Sequence, residues 1–213
     1  MMLGIKKRYI FLIGSFICAL IFFNHFIIVV ASPSKNSINE KIGIIDDGLY
    51  RTYEDIELDQ TYEMLTEGHG DRIVQFLRDA GYNGKIYFFG ASAESGMIRS
   101  ENILKGLQWM KRKGIGVINI SLSSLYYDAQ IETWINDNPS IKVYASYNNL
   151  ANSFDYPAMY KSVIGSGKRN GITYKNIDKT YRNNNVLIIS KKGLRLYKGN
   201  SFLSLISILD LYT

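Results

Sequence analysis

Three residues far apart in the chain could together do nucleophilic chemistry. Asp46 closes an apolar run, His69 stands between Gly68 and Gly70, and Ser201 follows Gly199 and Asn200. A serine hydroxyl is a poor nucleophile until a base takes its proton. The base in turn needs a third group, commonly a carboxylate, to hold its tautomer. His69 is the only histidine beyond the apolar N-terminal stretch and therefore the one candidate imidazole. A place at the start of a helix, at the positive end of its dipole, favours the neutral ring that a base requires. The order Asp, His, Ser along a chain is one of those in which such triads occur. Each residue also has a plainer reading: Asp46 as a turn-starting aspartate, His69 as an exposed turn residue, and Ser201 as a helix N-cap.

The elements that must position these residues are legible in the periodicity. "KIGIID" reads as a buried strand ending at Asp46. After Gly70, Ile73, Phe76, Leu77 and Ala80 recur at the spacing of one helix face, and Gly81 is a stop signal. "GKIYFFG", "GVINISL", "IKVYAS" and "KSVIGSG" read as further strands, with helices in "SENILKGLQWMKRKG" and "DAQIETWIND" between them. Ser201 opens another apolar run, residues 202–209. Strands alternating with helices predict an α/β fold with a mostly parallel sheet and helices on both faces. In such sheets functional groups gather at the carboxyl ends of strands. Those ends carry Asp46 and Asp47, Ser121 to Ser123, and Asn148 and Asn149.

Taken in order, these segments resemble the subtilisin-like serine peptidases. "IGIIDDG" resembles the family's aspartate-after-strand motif, and "GHGDRIVQFL" resembles "GHGTHVAG". "GVINISLSS" is similar to "VINMSLGG", "VYASYNN" to "VVASAGN", "YPAMYKSVIGSG" to "YPAxYxxVIxVG", and "GNSFLS" to "GTSFAT". The likeness runs from about residue 41 to 205. It implies a three-layer subtilisin-like fold and an endopeptidase working through an acyl-enzyme. Asp46 matches the orienting acid, His69 the general base, Ser201 the nucleophile, and Asn149 the side-chain donor of the oxyanion hole, with Asn148 as its alternative. By the same likeness "ASAESGMI", with Ser95 and Gly96, would supply a strand beside an extended peptide substrate, and Ser121, Leu122 and Ser123 the other wall.

The departures are specific. Asp47 replaces a small residue, Asp71 and Arg72 replace Thr and His, Asn148 replaces Gly, and Asn200 replaces Thr. Extra carboxylates beside His69 are expected to raise its pKa. The stretch before Ser201 is compressed, and the chain continues for about four helical turns beyond it, so weak support for the Ser201 helix is expected. The short segment 32–40 leaves no room for a folding-assisting propeptide after the apolar stretch. A catalytically inactive, subtilase-like peptide-binding or partner protein is therefore the alternative to an active peptidase. A phosphoacceptor reading of the acidic pair needs an aspartate where "INISLSS" has serines.

The N-terminus points to export. Lys6, Lys7 and Arg8 precede residues 9–31, which carry no charge. This reads as an N-terminal hydrophobic helix: a transmembrane anchor or a cleaved signal peptide. The product is membrane-anchored facing outward or secreted. The expected organisation is a hydrophobic segment over 1–31, a linker over 32–40 and a peptidase domain over 41–213. The formal charge of +6 falls to +3 without the three basic residues, too mild to argue for nucleic acid. The one cysteine, Cys18, lies in the apolar stretch, so no disulfide and no zinc cluster is expected. No cofactor is implied, and a carboxylate and carbonyl calcium site stays open. The expected partner is a peptide or protein substrate, with a membrane through residues 9–31 if that segment is retained.

Overall fold

The structure, a computed structural model, describes residues 25–31, 40–60, 63–92, 98–149, 155–168 and 179–211. Its main sheet has seven strands: β2 (Lys41–Asp46), β3 (Ile56–Gln60), β4 (Lys85–Gly90), β5 (Val117–Ile120), β6 (Lys142–Ser146), β7 (Val163–Lys168) and β8 (Lys179–Tyr181). They lie in the order β3-β4-β2-β5-β6-β7-β8, and every pairing is parallel. Chain direction across the sheet reverses at β2, which has β4 on one side and β5 on the other. The crevice beyond the carboxyl ends at such a switch point is where open α/β sheets bind ligands. Asp46, the last residue of β2, stands there.

Alternation along the strands divides the core in two. Ile42, Ile44, Ile86 and Phe88 point to one face, where they meet helices α1 (His69–Asp79) and α4 (Asn200–Leu209). Ile45, Phe89, Ile118, Ile120 and Val143 point to the other, against α2 (Ser100–Arg112) and α3 (Ala129–Asn136). The result is helix, sheet, helix: a subtilisin-like three-layer α/β fold. Strand β2 carries 0% exposure at Ile42, Ile44, Ile45 and Asp46. A strand covered on both faces is expected to be continuously apolar, and this explains why its terminal carboxylate has to be paired.

A second sheet was not legible in the sequence. Strands β1 (Ile27–Val30), β9 (Asn185–Ser190) and β10 (Gly193–Lys198) lie in the order β1-β9-β10, β1 parallel and β10 antiparallel to β9. Val186, Ile188 and Tyr197 enter the same core cluster as α1 and α4, with Ile27 and Val29 packed against it. The apolar run over residues 9–31 is therefore not one element, because its last residues are a strand of the fold. Its earlier part lies outside the described residues, as does most of the expected linker. Among the described residues no helix is long and apolar enough to cross a membrane.

This small sheet also corrects the expected weakness of the Ser201 helix. Every residue of α4 from Asn200 to Ile208 is buried. Two buried serines on α4 are satisfied from the main sheet. Ser204 Oγ donates to Asn119 Oδ1 at 2.7 Å, and the Ser207 and Ser166 hydroxyls are 3.0 Å apart. Phe202 locks the helix start, with its ring 5.1 Å from Phe76 and 5.0 Å from Tyr197. Phe202→Ala is expected to lower unfolding free energy by about 3–5 kcal/mol, the usual cost of emptying a buried aromatic site. Urea titration measures this, and a loss below about 1 kcal/mol would contradict the packing role.

Candidate active site

The carboxyl ends of β2, β5 and β6 and the start of α4 enclose a cleft of about 300 Å³. Asp46, Asp47, His69, Ser121, Leu122, Ser123, Asn148, Asn149 and Ser201 all line it. Seven of the nine residues named from the sequence as catalytic, oxyanion or substrate-wall groups reach it, through different elements. Ser95 and Gly96 lie outside the described residues. Ile98, Ser146 and Tyr147 also line the cleft. Sequence reading passed over them, since Ile98 looks like an ordinary loop residue and Ser146 and Tyr147 like the tail of a strand.

The acid and base are in direct contact. His69 Nδ1 lies 2.9 Å from both Asp46 Oδ1 and Oδ2. The Asp46 side chain is fully buried, whereas that of His69 is 35% exposed, toward the cleft. Nδ1–H donating to the carboxylate leaves Nε2 as the basic nitrogen. Burial is the largest influence on the ring and disfavours its charged form, but Asp46 and then Asp47 outweigh it and hold His69 above the ordinary histidine value. Burial likewise pushes Asp46 upward, against the pull of the His69 ring.

The two glycines around His69 are explained by crowding. A Cβ on Gly70 would lie 2.3 Å from the Gly48 carbonyl oxygen and 2.6 Å from Phe88 Cζ. One on Gly68 would lie 2.8 Å from Asp47 Oδ2. The start of α1 is thus pressed onto the end of β2, and this approach brings the imidazole over Asp46.

Both unexpected carboxylates serve the main chain. Asp71 is buried and accepts from the N–H groups of Tyr50, Arg51 and Gly68 and from the Tyr53 hydroxyl, at 3.0 to 3.3 Å. It ties the loop after β2 to α1, and the charges that act on the His69 ring are instead Asp46, Asp47 and Arg72. The expectation that extra carboxylates raise the ring's pKa thus holds through Asp47.

Ser201 sits in the first turn of α4, directly after Gly199, whose φ of 139° and ψ of 155° suit glycine alone. The N–H groups of a helix's first turn have no partner within the helix and face whatever lies before it. Asn149 is held by its own oxygen: Oδ1 accepts from Asn200 N–H at 2.8 Å and from Asn184 Nδ2 at 3.3 Å, turning its amide nitrogen into the donor left for a ligand. Asn148 is committed elsewhere, since its backbone N–H and its side-chain amide both donate to Asp155. Of the two asparagines weighed for the oxyanion role, this bonding favours Asn149. No hydrogen bond joins His69 to Ser201 here; catalytic contacts are often loose without substrate. Among the described residues no group of three or more His, Cys, Asp and Glu could hold a metal ion.

No protein-family profile matches the chain. It is 25% identical over 162 residues to subtilisin DY of Bacillus licheniformis, a match covering 65% of this chain and 59% of that protein. It is 28% identical over 149 residues to subtilisin Savinase of Lederbergia lenta, covering 60% and 54%. The chain thus spans under two thirds of the length of these curated relatives. Among solved structures, the psychrophilic subtilisin-like protease Apa1 from the Antarctic Pseudoalteromonas sp. AS-11 superposes with a TM-score of 0.54 at 18% identity, over 64% of this chain and 37% of that one. The sequence matches to two subtilisins and the shared three-layer architecture agree with the ordered motifs, and together they support reading the chain as a divergent, shortened relative of the subtilisins.

Proposed function

We propose that this protein is an exported serine endopeptidase that hydrolyses peptide bonds through an acyl-enzyme. The observation that carries the reading is His69 Nδ1 at 2.9 Å from both oxygens of the buried Asp46, in one cleft with Ser201 and Asn149. An acid holding a ring by one nitrogen while the other faces a serine-lined cleft is the arrangement that activates a hydroxyl.

In the proposed reaction Ser201 Oγ attacks the scissile carbonyl carbon while its proton passes to His69 Nε2. The imidazolium that forms is stabilised by Asp46. The carbonyl oxygen, now anionic, is bound by Asn149 Nδ2 and by the backbone N–H of Ser201. Such preorganised donors stabilise charge that develops only in the transition state. His69 then protonates the leaving amine, the C–N bond breaks, and an ester to Ser201 remains. A water molecule, deprotonated by His69, hydrolyses it and restores the enzyme. The substrate is an extended peptide, with Ser121, Leu122 and Ser123 along one wall of the cleft. Export is supported by the basic residues followed by an uncharged apolar run at the N-terminus.

A fluorophosphonate probe tests the reading directly, because it reacts with serines activated as nucleophiles. One covalent adduct, mapped by peptide mass to the segment containing Ser201, is expected. Failure of the folded wild-type protein to react, where a subtilisin control does, would overturn the proposal.

A further inference from the structure

We propose that Asp47 is a positioning residue that sets the stance of the His69 base by gripping its main chain, a role that rests on the serine-peptidase reading. Asp47 Oδ2 accepts from His69 N–H at 2.9 Å. Its Oδ1 accepts from Gly70 N–H at 2.8 Å and from Gly48 N–H at 2.7 Å. The Asp47 N–H itself donates to Asp46 Oδ1 at 2.8 Å. Two adjacent carboxylates at the end of β2 therefore hold the same histidine at two levels. Asp46 fixes the ring, and Asp47 fixes the backbone from which the ring projects.

The arrangement explains why a carboxylate stands where the family has a small residue. The first N–H groups of a helix have no intrahelical partner. Three donors converge here, and a hydroxyl has one oxygen to offer where a carboxylate has two. Hydrogen bonds to an ionised acceptor are also the stronger kind. Asp71 satisfies Gly68 N–H in the same turn, so the two acids share the start of α1 without competing. With its oxygens occupied by main-chain donors, Asp47 touches the histidine's backbone rather than its reacting nitrogen. It acts through His69 and is not itself a catalytic group.

The test uses the full chain with Asp47→Asn and Asp47→Ser. Three readouts are followed: peptide-ester hydrolysis, its pH profile, and exchange of the His69 and Gly70 amide protons by NMR. Loss of the grip lets the ring wander, and displacements of about 1 Å can cost on the order of a hundredfold in rate. We expect kcat to fall by about that factor in both variants with KM changed by less than about threefold, because the interaction acts on the chemical step. The His69 and Gly70 amides should exchange faster while those of β4 do not. The acid limb of kcat/KM should move to lower pH, since Asp47 is one of the negative charges favouring the imidazolium. A purely structural role would lower melting temperature without moving that limb. Folded variants with wild-type kcat and an unmoved acid limb would overturn the proposal. Absence of turnover in the wild type would instead overturn the peptidase reading, and the positioning role with it.

Discussion

Ser201→Ala is expected to abolish peptide hydrolysis, lowering kcat by at least about 10⁴-fold. In the proposed reaction its hydroxyl oxygen forms the covalent bond, and its neighbours in the cleft offer no substitute at the start of α4. What survives should be the slow hydrolysis by water that the oxyanion donors and substrate binding alone support. The fold should be indifferent to the change. The Ser201 backbone stays anchored by Ser204 Oγ on its carbonyl oxygen at 2.9 Å, while its own hydroxyl holds no partner among the described residues. Steady-state kinetics and a melting curve together decide the matter. An unchanged melting temperature with turnover within tenfold of wild type would remove Ser201 from the reaction.

Asp46→Asn should come close in effect, with kcat about 10⁴-fold lower. Asparagine keeps the size of the side chain but offers an N–H where Nδ1–H needs an acceptor, so the ring is driven toward the tautomer that cannot take the serine proton. Stability should move the other way, if at all. Burial penalises the ionised form of Asp46 more than any other influence acts on it, and a neutral amide escapes that penalty. A catalytic loss accompanied by an equal or higher melting temperature would separate the role of Asp46 from mere structure. A variant that unfolds instead would show that the carboxylate's bond to the ring holds the cleft together.

The contrast between these two acids and their neighbours shows what was readable from the sequence. Asp46, His69, Asn149 and Ser201 stand out in the sequence because ordered motifs place them at strand ends and helix starts, and the cleft is lined by all four. The strands Lys41–Asp46, Lys85–Gly90 and Lys142–Ser146 and the helix Ser100–Arg112 fell within a residue or two of expectation, since continuous apolar runs and a 3.6-residue period are strong signals. Asp47 was noticed only as a departure. Its partners are main-chain N–H groups some 22 or 23 residues away along the chain, and backbone donors leave no mark on residue type. The strand Ile56–Gln60 escaped notice because "IELDQ" is an edge strand carrying two acids. Ile27–Val30 was misread for a different reason. An apolar run looks the same whether its destiny is a lipid bilayer or a buried strand, and only its partner β9, far downstream, distinguishes them.

That pairing of β1 with β9 has a consequence for the protein's biogenesis. A ribosome delivers β1 early, yet its hydrogen-bonding edge finds a mate only after residues 186–189 have emerged, so closure of the small sheet belongs among the last events of folding. Until then the strand is an adhesive ribbon in need of shelter. Any processing at the N-terminus would face a matching constraint: a cut after Ala31 would discard β1 and leave β9 with a bare border open to neighbouring molecules, whereas a cut ahead of Ile27 would keep the sheet whole.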